Sequence, residues 1–494
     1  MRGIRRRNTI ALACAAGLAL AAASLPATAA ARESREVVDT PPGPGPALFN
    51  RVGVDKYGPE DGKRVLVLMP GTSGGSGDFT LAARYLVKKV PGLQVWAIDR
   101  RTQALEQPEM FARALRGEVT LQQMFDHYLG WIVNGGNPTD HFQFLNADEY
   151  PFARQWGMET ALNDARSVVL QARGRGRSRR SVVLGGHSLG ASLTAAYASW
   201  DFNGTPGYKD IDGMVLIDGG LMGSFDAFTA SEAQAAITSL SNGNPFADLL
   251  GVGFPEIAGL FGEIGGVYAL RAPNEPATTL QSFPLLPPAF NPPYPVTNQA
   301  LLGYAFDRDS SPDDLALLHI NAGALAQSGN PRDWDDDGVT PVHRLAATFG
   351  QEPANAIEWY FPRRLTIDTN GANELVQNDV ANLLGLRVFH QPKVDIPLYA
   401  IQTDLTKGRV LLGASNFIAR AKTTIKESTL VNADPEQAHL DPLMAATKQN
   451  KFFTTVTPFL RYKVFGERKK SKAREAKKRK QREAKEKRAQ RKKK

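Results

Sequence analysis

Residues 181–190, SVVLGGHSLG, contain the pattern that decides the fold. An apolar strand pattern over 181–185 leads directly into GHSLG at 186–190, and a helical stretch to Trp200 follows at once. A serine between a buried strand and a helix lies on a tight, strained turn, and glycines on either side let the backbones approach. The turn raises the serine hydroxyl above the carboxyl edge of the sheet. The pattern therefore predicts Ser188 as a nucleophile rather than as part of a structural turn.

Strand and helix signals alternate on both sides of this turn. Continuous apolar runs are typical of strands covered on both faces, and their alternation with helices predicts a parallel sheet with right-handed helical crossovers. The predicted strands are 64–69, 93–98, 181–185, 213–218, 396–401 and 428–431, and the predicted helices are 79–89, 159–173 and 190–200.

The alternation stops for a long stretch after residue 220. This stretch is rich in Pro and Gly, and such a length without regular signals usually forms a functional loop or a domain of its own. We therefore predict a large cap inserted between two late strands of the sheet. The predicted domains are a signal peptide (1–29), a Pro/Gly-rich linker (30–55), the first part of the core (56–220), the cap (221–393), the second part of the core (394–466) and a Lys/Arg-rich tail (467–494).

The nucleophile turn in this setting resembles that of the α/β-hydrolase superfamily, in particular its secreted lipases and esterases. The resemblance covers about 63–220 and 394–442. It implies a mostly parallel central sheet and a catalytic triad in the chain order Ser, acid, His. It also implies cleavage of carboxylic esters without a cofactor. The apolar, Pro-rich cap favours lipid-like or other hydrophobic acyl esters.

The resemblance implies that the base follows the last strand. His439 is the histidine found there, and the alternative is that it caps a helix beginning near Asp441. Two candidates remain for the acid that orients this base. Asp404 ends the strand of the second core part, as in most of the family, and is preferred; Asp218 ends the preceding strand and is the alternative.

The resemblance also implies an oxyanion hole made by the backbone amides of Leu189 and Thr72. Thr72 lies in PGTSGGSG at 70–77, and no Gly-Lys-Ser/Thr follows these glycines, which argues against a nucleotide-binding loop. The histidine beside the nucleophile is interpreted as a support for the turn, and two later ones as packing residues. The histidine at the turn is His187, and the two packing residues are His319 and His390.

Other functions use the same machinery. A thioesterase, a peptidase or an acyltransferase would need the same triad, and a catalytically silent binding protein could retain the fold. A small-molecule or lipid ester is the expected substrate, and nucleic acid is not the expected ligand.

An acidic stretch within the predicted cap has some features of a calcium loop. Asp333, Asp335 and Asp337 alternate and a glycine follows, but Arg344 stands where a bidentate Glu would belong in an EF-hand. A calcium site completed by other residues and a solvated acidic turn both remain open.

The N-terminus has the three parts of a secretory signal peptide. Four arginines lie within residues 2–7, an apolar run covers 9–24, and small residues follow at 27–29. The run is short for a transmembrane helix, and an uncleaved anchor is the alternative. Cys14, the only cysteine, lies inside this signal, so the mature chain is expected to be secreted and to have no thiol.

The net charge of +9 is unevenly distributed. Residues 467–494 contain 17 Lys or Arg and 4 Glu, which gives this tail a charge of +13. With the four arginines of the signal removed as well, the body carries about −8. The tail has no apolar stripe, so we expect it to bind anionic cell-surface polymers or lipid headgroups by electrostatic attraction.

Deletion of 467–494 should leave the hydrolysis of soluble substrates unchanged and abolish retention on anionic liposomes at low salt. Retention of the intact protein should fade as salt is added, because the Debye length falls from about 30 Å at 0.01 M to about 3 Å at 1 M. Retention that is insensitive to salt, or equal retention of the truncated protein, would contradict a tether.

Overall fold

A computed structural model describes residues 33–135, 140–421, 425 and 427–467. The predicted signal peptide and all of the basic tail beyond Glu467 lie outside these residues. Every described residue belongs to one compact unit. The strands found in it are β1 (Glu33–Asp39), β2 (Arg51–Tyr57), β3 (Arg64–Met69), β4 (Leu93–Ile98), β5 (Ser181–His187), β6 (Asp201–Phe202), β7 (Thr205–Pro206), β8 (Gly213–Ile217), β9 (Ala324–Gly329), β10 (Arg332–Asp335), β11 (Leu398–Gln402) and β12 (Ser428–Asn432).

A single large sheet organises the described residues. Its strand order is β1-β2-β4-β3-β5-β8-β11-β12. The first two strands are antiparallel to their neighbours, and every neighbouring pair from β4 to β12 is parallel. The predicted fold class, a mostly parallel α/β sheet, is confirmed. The two remaining strand pairs, β6–β7 and β9–β10, form short hairpins outside this sheet.

The predicted linker over 30–55 is wrong at both of its described ends, where the chain forms strands. Strands β1 and β2 occupy it and pair in register from Glu33↔Tyr57 to Asp39↔Arg51. Six of the seven residues of β1 are exposed, so this edge strand lacks the apolar run by which the buried strands were predicted. Only the Pro-rich stretch between the two strands is irregular chain.

Helices cover both faces of the sheet. They are α1 (Thr80–Lys89), α2 (Glu109–Leu115), α3 (Leu121–Phe125), α4 (Trp131–Asn134), α5 (Met158–Arg173), α6 (Leu189–Ser199), α7 (Ala230–Asn242), α8 (Ile257–Arg271), α9 (Thr278–Gln281), α10 (Asn298–Phe306), α11 (Val342–Phe349), α12 (Arg363–Gly371), α13 (Asp379–Leu384), α14 (Arg409–Arg420), α15 (Asp441–Met444) and α16 (Lys451–Pro458).

The central strands supply apolar side chains to two cores, one on each face. In β3, Leu66 and Leu68 point into the core shared with α1, whereas Val65 and Val67 point into the core shared with α5 and α6. This division follows from the two-residue period of a strand. It also explains the continuous apolar runs of the sequence, because both faces must be buried.

A long segment separates two neighbouring strands. Strands β8 and β11 pair directly, yet 218–397 lie between them in the chain and contain α7 to α13 and the β9–β10 hairpin. The sequence predicted an insertion at this point. Among the described helices, none has both the length and the apolar character that crossing a bilayer requires.

Candidate active site

Ser188 lies on the turn between β5 and α6 in a conformation that few residues adopt. Its φ is 54° and its ψ is −123°, and its amide donates to the carbonyl of Ile217 at 2.8 Å. A Cβ on Gly190 would lie 2.0 Å from the Met69 carbonyl oxygen, and one on Gly186 would lie 2.3 Å from the backbone of Gly190. The glycines are therefore required sterically, and the strained turn is held by tight backbone packing.

His439 is brought to this turn by the loop after β12. Its Nδ1 lies 2.5 Å from Oδ2 of Asp218, and both side chains are buried. Its Nε2 is also buried and has no hydrogen-bond partner among the described residues. Because a carboxylate accepts only, Nδ1 carries the proton in the neutral ring, and Nε2 is left as a free acceptor.

Asp218 follows the end of β8 and is held as a carboxylate. Besides His439, the amide of Thr403 donates to its Oδ1 at 2.7 Å, and the hydroxyl of Thr403 donates to its Oδ2. Burial acts to raise the pKa of Asp218, but the hydrogen bonds from His439 and Thr403 outweigh burial and lower it. The acid is thus charged at neutral pH and fixes the imidazole ring.

The structure corrects the preference for Asp404 as the partner of His439. Asp404 follows β11 by two residues, but its carboxylate forms an ion pair with Arg308 at 3.2 Å and is partly exposed. Thr403, the residue before Asp404, donates its backbone amide to Asp218. The alternative acid, Asp218, is the one that meets the histidine.

His187 supports the base from the other side. Its Nε2 lies 2.9 Å from the His439 carbonyl oxygen, and the two rings lie 4.4 Å apart between centroids. Burial, with a smaller contribution from His439, lowers the pKa of His187 to about 3. His187 is therefore neutral in ordinary buffers and donates from Nε2 to the carbonyl.

The loop that carries His439 is tied to the inserted segment by a buried carboxyl group. Asp441 accepts from the amides of Ala438 at 2.6 Å and Asn321 at 3.1 Å, and from the Thr340 hydroxyl at 2.5 Å. Burial raises the pKa of Asp441 to about 7, despite these bonds. The prediction of a helix beginning near Asp441 is confirmed, but His439 lies in the loop before it.

The two predicted oxyanion donors lie on either side of Ser188. Leu189 opens α6, and Thr72 lines the same pocket as Ser188 and His439. Neither amide donates a hydrogen bond to another described residue. A Cβ on Gly71 would lie 2.9 Å from the Ser188 Cβ, so the loop passes close to the serine. A free amide at the start of a helix, as that of Leu189, suits a developing negative charge.

The pocket in front of Ser188 has mostly apolar walls. Much of its lining comes from the inserted segment, including Leu249, Leu317, Leu318 and Ile357. A second, more apolar cavity is lined almost entirely by that segment. The two share Ala258, Phe306 and Leu318 as lining residues.

The remaining predicted residues do not line this pocket with their side chains. His319 contacts the Pro312 carbonyl at 3.1 Å, and His390 pairs with Asp201 at 3.0 Å. Asp333 accepts from Thr297 at 3.0 Å and from Gln299 at 2.8 Å.

The three acidic residues of the predicted calcium loop do not converge. Within the described part of the chain, no three His, Cys, Asp or Glu side chains are arranged to hold a metal ion. Asp333, Asp335 and Asp337 therefore do not form a ligand set by themselves. Asp333 instead accepts hydrogen bonds from Thr297 and Gln299 at the start of α10.

Sequence reasoning missed three residues that shape the site. They are Thr403, which bonds the acid, and Arg100 and Glu358, which bond the loop of Thr72. Arg100 stands directly after the Asp99 that follows β4, a charged position at the sheet edge that could have drawn attention. Thr403 and Glu358 gave no such signal.

No family model and no curated protein matches the sequence. Solved structures similar to the chain include a provisionally assigned lipase from Sulfolobus solfataricus, 14% identical over 87% of this chain and 93% of its own, with a TM-score of 0.45. An epoxide hydrolase from an endophytic Streptomyces is 12% identical over 88% and 97%, with a TM-score of 0.41. A thermophilic esterase from Thermogutta terrifontis is 12% identical over 87% and 99%, with a TM-score of 0.39.

These likenesses are too weak to carry any functional conclusion. The strand order, the long segment between β8 and β11, and the serine on the turn after β5 are features of the chain itself. Together they identify the architecture: this chain has the α/β-hydrolase fold, with Ser188 on the turn between β5 and α6.

Proposed function

We propose that this protein is a serine hydrolase that cleaves carboxylic esters through an acyl-enzyme. One observation carries the proposal: His439 presents a buried, unpartnered Nε2 to the pocket of Ser188, with Asp218 bonded to its other nitrogen. A buried polar atom without a partner costs free energy, so its retention at this point is best explained by catalysis.

In the proposed first step, Ser188 Oγ attacks the ester carbonyl while Nε2 of His439 takes the hydroxyl proton. The carbonyl electrons move onto oxygen, which accepts hydrogen bonds from the Leu189 and Thr72 amides. When the intermediate collapses, the C–O bond to the alcohol breaks, and His439 gives its proton to the leaving oxygen. Asp218 keeps the ring oriented and stabilises its charged form.

In the second step, water replaces the alcohol. Nε2 of His439 takes a proton from the water as its oxygen attacks the acyl carbon, and the same oxyanion donors act again. The acyl–Ser188 bond then breaks, the proton returns to Oγ, and a carboxylic acid leaves. No cofactor enters either step, because the base, the nucleophile and the donors all belong to the chain.

We also propose that the substrate carries a hydrophobic acyl group. The pocket of Ser188 has apolar walls, and the adjoining cavity has Asn298 as the one polar side chain among its described lining residues. Burial of an apolar chain there would contribute about 0.8 kcal/mol for each methylene group. We assign the acyl chain to this pocket and the adjoining cavity, with 221–393 acting as a cap over the serine.

Export and retention at the cell surface complete the proposal. They rest on the N-terminal pattern and on the charge of +13 at residues 467–494. The described body carries no cysteine, so its stability depends on packing and not on disulfides.

The triad predicts opposite results for two aspartates that follow neighbouring strands. Asp218→Asn should lower kcat by about 10⁴-fold, because the imidazole loses the partner that fixes its tautomer. Asp404→Asn removes a partly exposed ion pair and should leave kcat within a few-fold of wild type. Steady-state kinetics on a soluble ester decide this, and a severe loss in Asp404→Asn with near-normal Asp218→Asn would refute the proposed acid.

The reaction class predicts a ranking of substrates. Purified protein should hydrolyse p-nitrophenyl esters faster than matched thioesters or anilides, and Ser188→Ala should lower the ester rate by several orders of magnitude. Faster thioester or anilide cleavage would favour a thioesterase or a peptidase, and acyl transfer to an added alcohol in preference to water would favour an acyltransferase. Equal rates for wild type and Ser188→Ala would favour a binding protein.

The acyl route predicts a variant with altered chain-length preference. Gly265 lines the second cavity, and a Cβ there would meet only the Leu302 side chain, at 3.4 Å. Gly265→Leu should therefore fill the cavity and lower the octanoyl-to-acetyl ratio of kcat/KM by at least about 10-fold. Gly265→Ala is the matched control, because its single methyl group leaves most of the cavity open.

Both substitutions replace a helical glycine, so they should not weaken α8. Acetyl ester hydrolysis should be unchanged in both variants. A chain-length profile of Gly265→Leu that matches wild type would remove the cavity from the acyl route.

A further inference from the structure

Arg100 holds the loop that carries one of the proposed oxyanion donors. Its side chain is 9% exposed, and its Nη2 donates to the carbonyls of Pro70 at 2.7 Å and Gly71 at 2.8 Å. Its Nη1 donates to the carbonyl of Gly74 at 3.2 Å. These carbonyls lie before and after Thr72 in the chain, so a single guanidinium fixes the loop on both sides of the donor amide.

Glu358, in the inserted segment, completes this arrangement. It is 1% exposed and forms an ion pair with Nη1 of Arg100 at 2.5 Å. The hydroxyl of Thr102 donates to its other oxygen, and its own amide donates to the carbonyl of Ser73 at 2.8 Å. The loop that carries Thr72 is therefore bonded by Arg100 from the edge of the sheet and by Glu358 from the inserted segment.

The backbone beside Glu358 runs along the same loop. Gly74 forms an antiparallel bridge with Ile357, and the amide of Gly75 donates to the Ala356 carbonyl at 2.8 Å. Ala356 and Ile357 also line the pocket of Ser188. The insertion thus contacts the substrate pocket and the oxyanion loop through adjacent residues.

The contacts require a guanidinium. A planar fork of five donors can reach three carbonyls and a carboxylate at once, whereas an ammonium is a single point of three donors on a flexible stem. Donors for an oxyanion must lie within about 2.7–3.1 Å of the developing charge, so small shifts of the loop would weaken stabilisation of the transition state.

We propose that Arg100 and Glu358 are positioning residues that set the Thr72 amide for the oxyanion, and that the inserted segment is thereby needed for catalysis and not only for substrate binding. The proposal rests on the proposed hydrolase function. It assigns to the pair an effect on kcat, exerted through the loop, rather than a contact with substrate.

The test compares Arg100→Lys, Arg100→Gln and Glu358→Gln with a matched control, Arg101→Gln. Arg101 is the next residue and is more deeply buried, and it pairs with Asp164 at 2.6 Å without contacting the loop at 70–74. All variants are checked for folding by thermal melting. The kinetic measurements are kcat and KM for an ester and for its thiono analogue, in which sulfur replaces the carbonyl oxygen.

Sulfur accepts hydrogen bonds poorly, so a well-set oxyanion hole favours the oxygen ester. We expect Arg100→Gln to lower kcat on the oxygen ester by about 10- to 100-fold with KM within a few-fold, a partial removal of the stabilisation that one donor supplies. The oxygen-to-thiono rate ratio should fall with it. Arg100→Lys and Glu358→Gln should lie between this variant and wild type, and Arg101→Gln should keep the wild-type ratio.

Each of the following outcomes would overturn the proposal. Folded Arg100 variants could keep the wild-type ratio, or the Arg101 control could lose it equally, which would show a general structural effect. If wild type hydrolysed the ester and the ratio stayed constant in all variants, only this inference would fail. If wild type hydrolysed no ester, the proposed function would fail with it.

Discussion

The hydrogen bond between His439 Nδ1 and Asp218 determines the arrangement of the whole site. Its two members are 221 residues apart in the chain, and they meet only because β8, β11 and β12 are neighbours in the sheet. The bond fixes the imidazole and leaves Nε2 towards the pocket. A buried pair of this kind needs further partners to offset desolvation, and Thr403 supplies them from the end of β11. The sheet thus positions the acid, its support and the base together.

The inserted segment is bonded at two separate points to the loops that carry His439 and Thr72. Thr340 and Asn321 bond to Asp441 beside the base, and Glu358 bonds to Ser73 and Arg100 beside the proposed oxyanion donor. Both contacts are buried. Because a buried polar group without a partner is costly, such hydrogen bonds hold the two loops in one specific arrangement. A segment that only covered the substrate would not need these buried contacts with Asp441 and Arg100. The geometry of the site therefore depends on the insertion as well as on the sheet.

The sequence predicted the features that local pattern determines. The nucleophile turn required glycines at fixed spacing, and β3 and β4 have the predicted bounds because both faces of each are buried. The acid could not be decided in this way. Asp218 and Asp404 both follow adjacent strands, and the choice between them depends on where the loop after β12 brings the imidazole, which no local pattern records.

Other features were hidden for related reasons. β1 is an exposed edge strand with charged residues, so it has no apolar run. The charge of Arg100 at the sheet edge is visible in the sequence, but its role is not, because three of its partners are backbone carbonyls, which every residue has. Glu358 lies in a segment without regular signals, and its role appears only when the loop at 70–75 packs against it.

The most direct measurement is covalent labelling of the folded protein with a fluorophosphonate, read by intact mass and by peptide mapping. An activated serine attacks phosphorus and expels fluoride, whereas ordinary serine hydroxyls react far more slowly. We expect one adduct for each chain, on Ser188, and none when the protein is first denatured. A folded protein that forms no adduct, or that is labelled on another serine while it hydrolyses esters, would contradict the assignment of Ser188 as the nucleophile.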